Sequence, residues 1–166
     1  MLTNSEECEI ISTIMNKIPE DKMKWLMSLV PYAKDAQKKW PGMRWNVCVA
    51  QAALETGWGK RPIGGWNLWG MKWMKWVPSF VEVMTKEWDK ETRDYITVVA
   101  RFCAFATPEE GFNAYGRLVN NSPSYAIARS WVNLEGYVRE IGKVWATDPM
   151  YVEKINLIIK EAGLGD

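Results

Sequence analysis

Residues 50–72 read AQAALETGWGKRPIGGWNLWGMK, and the rest of the chain is organised around them. An apolar run ends in a carboxylate, Glu55, and gives way to a loop rich in glycine and tryptophan. Trp45, Cys48, Val49, Ala52 and Ala53 recur at helical spacing, so residues 44–54 predict a helix with one apolar face. The two alanines let a second helix approach closely. At about 100° per residue, Glu55 falls at the edge of that buried stripe. Gly57 and Gly59 supply the helix stop, which puts Glu55 in the last turn at the negative end of the helix dipole. Partial burial and the dipole both disfavour the ionised form, so the pKa is expected to rise, as a general acid requires. A plainer reading stands beside this one, a surface glutamate paired with Lys60 or Arg61.

The chain has no histidine, which excludes every His-dependent triad and argues against a catalytic zinc. Acid–base chemistry must fall mainly to carboxylates, helped by Tyr or Lys. With 21 basic and 20 acidic residues the net charge is +1, without the electrostatic footprint of a general nucleic-acid binder. Arg101 interrupts the longest apolar run, 98–106, so no membrane insertion is expected. The opening MLTNSEECEI lacks the basic flank and apolar core of a secretory signal. Cys8, Cys48 and Cys103 make no disulfide framework. Cys48 and Cys103, among apolar neighbours, are expected to be reduced and to pack as small hydrophobes in a protein made in a cytosol. Eleven tryptophans have two readings, core packing or a carbohydrate cleft in which indoles stack on sugar C–H faces.

The 166 residues suffice for one domain with a sizeable core, and no linker or repeat divides them. Ile10, Ile11, Ile14 and Ile18 predict a first helix over 6–18. Met23, Leu26, Met27 and Val30 continue an apolar stripe that Pro31 restarts or kinks, and Pro41-Gly42 breaks it. In the loop 57–79, Trp58, Trp66, Trp69, Trp73 and Trp76 read as exposed aromatics suited to ligand contact. The period then changes: 80–84 and 95–102 predict the two strands of a hairpin, joined by the polar segment 86–94. Thr107-Pro108-Glu109-Glu110 predicts a capped helix carrying Phe112, Tyr115 and Val119 on one face. Ser122-Pro123 opens a short helix containing Tyr125, and 134–144 form another. Asp148-Pro149 caps the last, with Val152, Ile155, Ile159 and Ala162 inward and Gly163 as its stop.

From about residue 25 to 164 the chain resembles the peptidoglycan-cleaving β-N-acetylglucosaminidases of glycoside hydrolase family 73, which include flagellar rod-cap hydrolase domains, autolysins and phage lysins. The family's alanine-rich helix and Glu-Ser-Gly-Trp-Gly motif is similar to Ala50-Gln51-Ala52-Ala53-Leu54-Glu55-Thr56-Gly57-Trp58-Gly59-Lys60. Asn67-Leu68-Trp69-Gly70-Met71-Lys72 resembles its Asn-Leu-Phe-Gly-Ile-Lys segment, and Thr85-Lys86-Glu87-Trp88 its Thr-x-Glu-Tyr. Ala100-Arg101-Phe102-Cys103-Ala104-Phe105 resembles its Ala-Arg-Phe strand, and Trp145-Ala146-Thr147-Asp148-Pro149-Met150-Tyr151 its Tyr-Ala-Thr-Asp-Pro-x-Tyr. Five segments in order make the likeness specific.

The resemblance implies a mainly α, lysozyme-like helical domain with a small β-hairpin lobe across a cleft. It implies Glu55 as the general acid. Glu87 would act as a base activating water, or as a stabiliser if the substrate's own acetamido group attacks. Trp58, Asn67, Trp69, Trp145 and Tyr151 would contact the sugar, with Tyr125 and Tyr115 as further tyrosines of either cleft or core. Trp145 stands where the family has a tyrosine, so the hydroxyl is missing there. The expected activity is hydrolysis of the β-1,4 bond between N-acetylglucosamine and N-acetylmuramic acid in peptidoglycan glycan strands, by a monomer needing no metal or cofactor. A phage endolysin, made in the host cytoplasm and released to the wall at lysis, is the expected setting. Two rivals stand: a muramidase or lytic transglycosylase on the same fold, and a non-catalytic peptidoglycan-binding virion module.

Overall fold

The computed structural model describes residues 18–89, 91 and 93–165, with only the backbone described at 87–89. The helix expected over 6–18 falls, but for Ile18, outside them. Helix α1 (Glu20–Lys39) runs straight through Pro31. A proline leaves the carbonyl four residues earlier without its helical donor. Here Pro31 and Met27 both lie on the exposed side, so water can satisfy that carbonyl. The buried stripe is Leu26, Leu29, Val30, Ala33 and Ala36, which corrects the expected inward Met27.

Helix α2 (Trp45–Thr56) is the axis of the molecule. It is buried almost all round, from Asn46 to Leu54 and at Thr56, where one apolar face was expected. Such a helix belongs at the centre of a core. Its end is built by Gly57 in the left-handed region at φ 58°. There the Trp58 N–H donates to the Ala53 carbonyl at 2.8 Å and the Gly57 N–H to Leu54 at 3.4 Å, a Schellman stop. Thr56 Oγ1 seals the turn, donating to the Ala52 carbonyl and accepting from the Gly59 N–H.

Strands β1 (Phe80–Asp89) and β2 (Asp94–Cys103) form a two-stranded antiparallel sheet, in register from Phe80 opposite Cys103 to Asp89 opposite Asp94. They are longer than expected, and most of the polar segment 86–94 is strand. The loop 57–79 is stitched along the base of β2. The Trp66 N–H donates to Phe105, Phe105 to Gly64, Trp73 to Arg101 and Cys103 to Met71, all through carbonyls. Gly64 and Gly65 make this approach possible. A Cβ on either would sit 2.5 Å from a carbonyl oxygen, of Cys103 or Phe105, and both have positive φ.

Helix α3 (Pro108–Asn121) starts as its sequence predicts. Thr107 Oγ1 accepts from the Glu110 N–H, and the Glu110 carboxylate accepts from the Ala106 N–H at 2.8 Å. A 3-10 turn (Pro123–Tyr125), α4 (Ala126–Ser130), α5 (Leu134–Trp145) and α6 (Tyr151–Glu161) complete the chain. Ile155, Ile158 and Ile159 of α6 face the core, and Val152 and Ala162 lie half-buried at its margin. Cys48 and Cys103 are free and buried, as their apolar neighbours predict. No helix of the described residues is long and apolar enough to cross a membrane. The fold is thus mainly α with a small sheet, and a cleft runs between the hairpin and the helices.

Candidate active site

Glu55 stands one residue from the end of α2, where the buried helix meets the cleft. Burial pushes its pKa from 4.5 up to about 7, partly offset by a hydrogen bond from Tyr151. The Tyr151 hydroxyl donates to Glu55 Oε1 at 3.0 Å. The second oxygen, Oε2, has no hydrogen-bond partner among the described residues. A carboxyl that keeps its proton near neutral pH and borders an open cleft can deliver that proton to a leaving oxygen.

The cleft holds about 610 Å³. Glu55 and Arg61 line one part of it, Val83 to Thr85 of β1 another, and Tyr125, Trp145 and Tyr151 the helical side. Trp145 is half-buried and lies 6.1 Å from Tyr125, centroid to centroid. Tyr125 is buried, and the cleft's aromatic lining is completed by Trp69, Phe102 and Tyr151. A second cavity, of about 710 Å³, shares no lining residue with it. Its one carboxylate, Glu110, is engaged in capping α3, which leaves the Glu55 cleft as the candidate site for acid chemistry.

Tyr151 reaches Glu55 because the approach to α6 is fixed. Asp148 Oδ1 accepts from the Met150 N–H at 2.8 Å, its carbonyl accepts from the Tyr151 N–H, and its Oδ2 meets the buried Lys154 ammonium at 2.7 Å. Burial alone would raise the Asp148 pKa, but the Lys154 and Met150 hydrogen bonds bring it below the ordinary value. The N-cap of α6 is Met150 and no side chain caps it, which corrects the expected Asp148-Pro149 cap; Asp148 holds the turn just ahead of the helix.

Trp58 and Trp69 correct the expectation of exposed loop aromatics, whereas Trp76 is exposed as expected and Trp66 and Trp73 are half-buried. Trp58 is buried and lines no part of the cleft. Its backbone is left-handed at φ 62°, which turns the indole inward beneath the Lys22 ammonium, 5.9 Å from the ring centroid. Its indole N–H is a buried donor without a partner among the described residues. Trp69 borders the cleft but is 2% exposed, with its N–H donating to the Cys48 carbonyl at 2.9 Å. Asn67, also at the cleft, is 1% exposed. Its Nδ2 donates to the carbonyls of Met71 and Cys103, and its Oδ1 accepts from the Met71 N–H, each at 2.9 Å. Asn67 therefore shapes the loop beneath the cleft, with both amide N–H groups and one of the two acceptor sites of Oδ1 engaged there.

Residues 30–164 match the family model Glucosaminidase, described as mannosyl-glycoprotein endo-beta-N-acetylglucosaminidase. The chain belongs to the glucosaminidase family. Its relatives include the Peptidoglycan hydrolase FlgJ of Vibrio parahaemolyticus, 32% identical over 136 residues, covering 77% of this chain and 43% of that protein. FlgJ of Escherichia coli strain K12 is 29% identical, covering 88% of this chain and 48% of that protein. The chain thus spans less than half the length of the curated relatives it matches. Among solved structures, the peptidoglycan hydrolase from Sphingomonas sp. A1 is similar at TM-score 0.66 and 30% identity, covering 86% of this chain and 93% of that one. The catalytic domain of the autolysin Auto from Listeria monocytogenes shares the fold, at TM-score 0.76 and 21% identity over 99% of this chain and 97% of that one. The lysozyme-like glucosaminidase fold expected from the resemblance is the fold observed.

In this glucosaminidase, Glu87 lies on β1 opposite Ile96, two positions beyond the cleft-lining Thr85. Sequence reasoning missed one participant beside Glu55. Gln51 is 0% exposed, one helical turn before Glu55, and bonds the Tyr151 hydroxyl. The signal was present: a lone amide inside the apolar run 47–54, four residues from a carboxylate on the same helix face.

Proposed function

We propose that this chain hydrolyses peptidoglycan glycan strands at the β-1,4 bond after N-acetylglucosamine, with Glu55 as general acid and residues 18–165 acting as one catalytic domain. The observation that carries the reading is Glu55 itself. It is a carboxyl held protonated to about pH 7, with one oxygen fixed by Tyr151 and the other without a hydrogen-bond partner among the described residues at the cleft. Protonating the leaving oxygen allows an oxocarbenium-like transition state to form on the N-acetylglucosamine ring. Glu87 supplies the second carboxylate, as the base for a water or as the stabiliser of an intermediate formed by the acetamido group. Trp145 and Tyr125 give the sugar ring faces to stack on. The substrate class comes from the relatives, which are named peptidoglycan hydrolases.

Mass spectrometry of digested, purified peptidoglycan tests this. Products ending in reducing N-acetylglucosamine are expected. Reducing or anhydro-N-acetylmuramic acid ends would instead assign a muramidase or transglycosylase, and wall binding without products would assign a binding module. Two settings would use such an activity. One is wall remodelling during flagellar assembly, which the relatives named FlgJ favour. The other is phage-driven lysis of the host, and lysis that follows only after membrane permeabilisation would assign it.

A further inference from the structure

Behind Glu55 runs a chain of hydrogen bonds that ends in the core. The Tyr115 hydroxyl, on α3, donates to Gln51 Oε1. Gln51 Nε2 donates to the Tyr151 hydroxyl at 2.8 Å, and Tyr151 donates to Glu55 Oε1 at 3.0 Å. Tyr115 and Gln51 are both 0% exposed. Tyr115 is clasped between Trp69, 4.9 Å away, and Trp145, 5.4 Å away, centroid to centroid. Every proton in this chain points toward Glu55.

We infer that Tyr115 and Gln51 are positioning residues that fix the direction of this chain, and so force the Glu55 acid proton onto Oε2, the oxygen available to substrate. The inference rests on the reading of Glu55 as the acid. A glutamine side chain could turn over and exchange its N–H₂ and carbonyl ends. Tyr115 would then accept from Gln51, and its own O–H would be left in the core with no other partner among the described residues. An unsatisfied buried donor is costly, so Tyr115 holds Gln51 with its carbonyl toward α3. Gln51 then offers Tyr151 an N–H. Tyr151 accepts it and has one proton left to give, to Glu55 Oε1. A protonated Glu55 must therefore carry its proton on Oε2. With Gln51 turned over, Tyr151 would donate backward, and Glu55 could place its proton on Oε1 and donate it into the chain, away from the cleft.

Replacing Tyr115 by Phe keeps the ring in its aromatic clasp and removes only the hydroxyl. Gln51 is then free to turn. Protonated Glu55 gains the backward arrangement, while the ionised form gains nothing from it. The alkaline limb of the kcat/KM profile on purified peptidoglycan should move up by roughly half a pH unit or more, with kcat lowered severalfold on the acid side. Gln51→Met, which removes both bonds at similar volume, should move the limb the same way. Among the described side chains, the charged and titratable groups facing Glu55 at the cleft are Arg61 after α2, Tyr125 of the 3-10 turn, and Asp148, Tyr151 and Lys154 at α6, and the charge of the amino terminus also lowers the Glu55 pKa. β1 lines the cleft with Val83, Met84 and Thr85, with the proposed Glu87 two positions beyond, and α5 with Val144 and Trp145; neither substitution replaces any of these groups. A limb that stays put or moves down in the folded variants, with rates falling equally at every pH, would overturn the proposal and leave Tyr115 as core filling. If Tyr115→Phe does not fold, the Gln51→Met limb decides. Glu55→Gln runs in the same assay. Undiminished activity there would remove Glu55 as the acid and the proposal with it, whereas an inactive Glu55→Gln beside unmoved limbs refutes the positioning role alone.

Discussion

Glu55 sets stability and reactivity against the same proton. Its folded-state pKa of about 7 lies above the ordinary 4.5, so the fold favours the protonated carboxyl. That contribution is fully present below about pH 4.5 and is lost as pH rises through 7. Above pH 7 the ionised carboxylate costs about 3 kcal/mol at most, less whatever its opening to the cleft screens. Glu55→Gln removes this cost, so thermal melts should show the variant more stable than wild type at pH 8 and little different at pH 5. Equal melting temperatures at both would mean that Glu55 is not desolvated as described. Asn67 makes a different prediction. Its three hydrogen bonds close the loop beneath the cleft, and Asn67→Ala leaves the Met71 N–H unpaired and takes one donor each from the Met71 and Cys103 carbonyls, of which Met71 keeps its bond from the Cys103 N–H. A loss of about 2–4 kcal/mol in denaturant unfolding is expected.

The elements show why some of this was legible in the sequence. Helix α2 and its end could be read because apolar spacing and Gly57 are local signals. The hairpin was placed but its strands were cut short. Much of it is exposed, with β2 open to solvent over its first four residues, so polar strand positions looked like a loop. Trp58 and Trp69 were misjudged for the opposite reason. Trp58 is buried beside Lys22 of α1 and Trp69 against α2 and α3, which no local pattern reveals, while Trp76 is exposed. The contact of Tyr151 with Glu55, 96 residues apart, was not legible in the sequence: the family resemblance placed Tyr151 only against the sugar. Asp148 is the lever on that contact. Asp148→Asn removes the negative partner of a buried ammonium and loosens the start of α6. A loss of about 1–3 kcal/mol is expected, with kcat falling further than stability alone explains because Tyr151 shifts. Full activity in a destabilised Asp148→Asn would show that the approach to α6 does not set the site. Likewise, Gly64→Ala places a methyl 2.5 Å from the Cys103 carbonyl at φ +57°, and about 1–3 kcal/mol of strain should appear as a lowered melting temperature.

As a molecule, this member of the glucosaminidase family sets the proposed acid, on a buried helix, against a two-stranded lobe. Glu55 is anchored in the most buried helix, backed by Gln51 and Tyr115, while β1 carries Glu87 on the hairpin. The proposed second carboxylate is therefore expected to act through kcat. Glu87→Gln should lower kcat by about 10²-fold or more with KM little changed, and an unchanged kcat would remove Glu87 from the mechanism. The central claim concerns the acid. Turnover of purified peptidoglycan by wild type and Glu55→Gln, followed from pH 5 to 9, tests it most directly. The account predicts wild-type activity that falls as pH rises through about 7, and a folded, wall-binding Glu55→Gln at least about 100-fold slower throughout. A Glu55→Gln variant that cleaves walls as fast as wild type would contradict it.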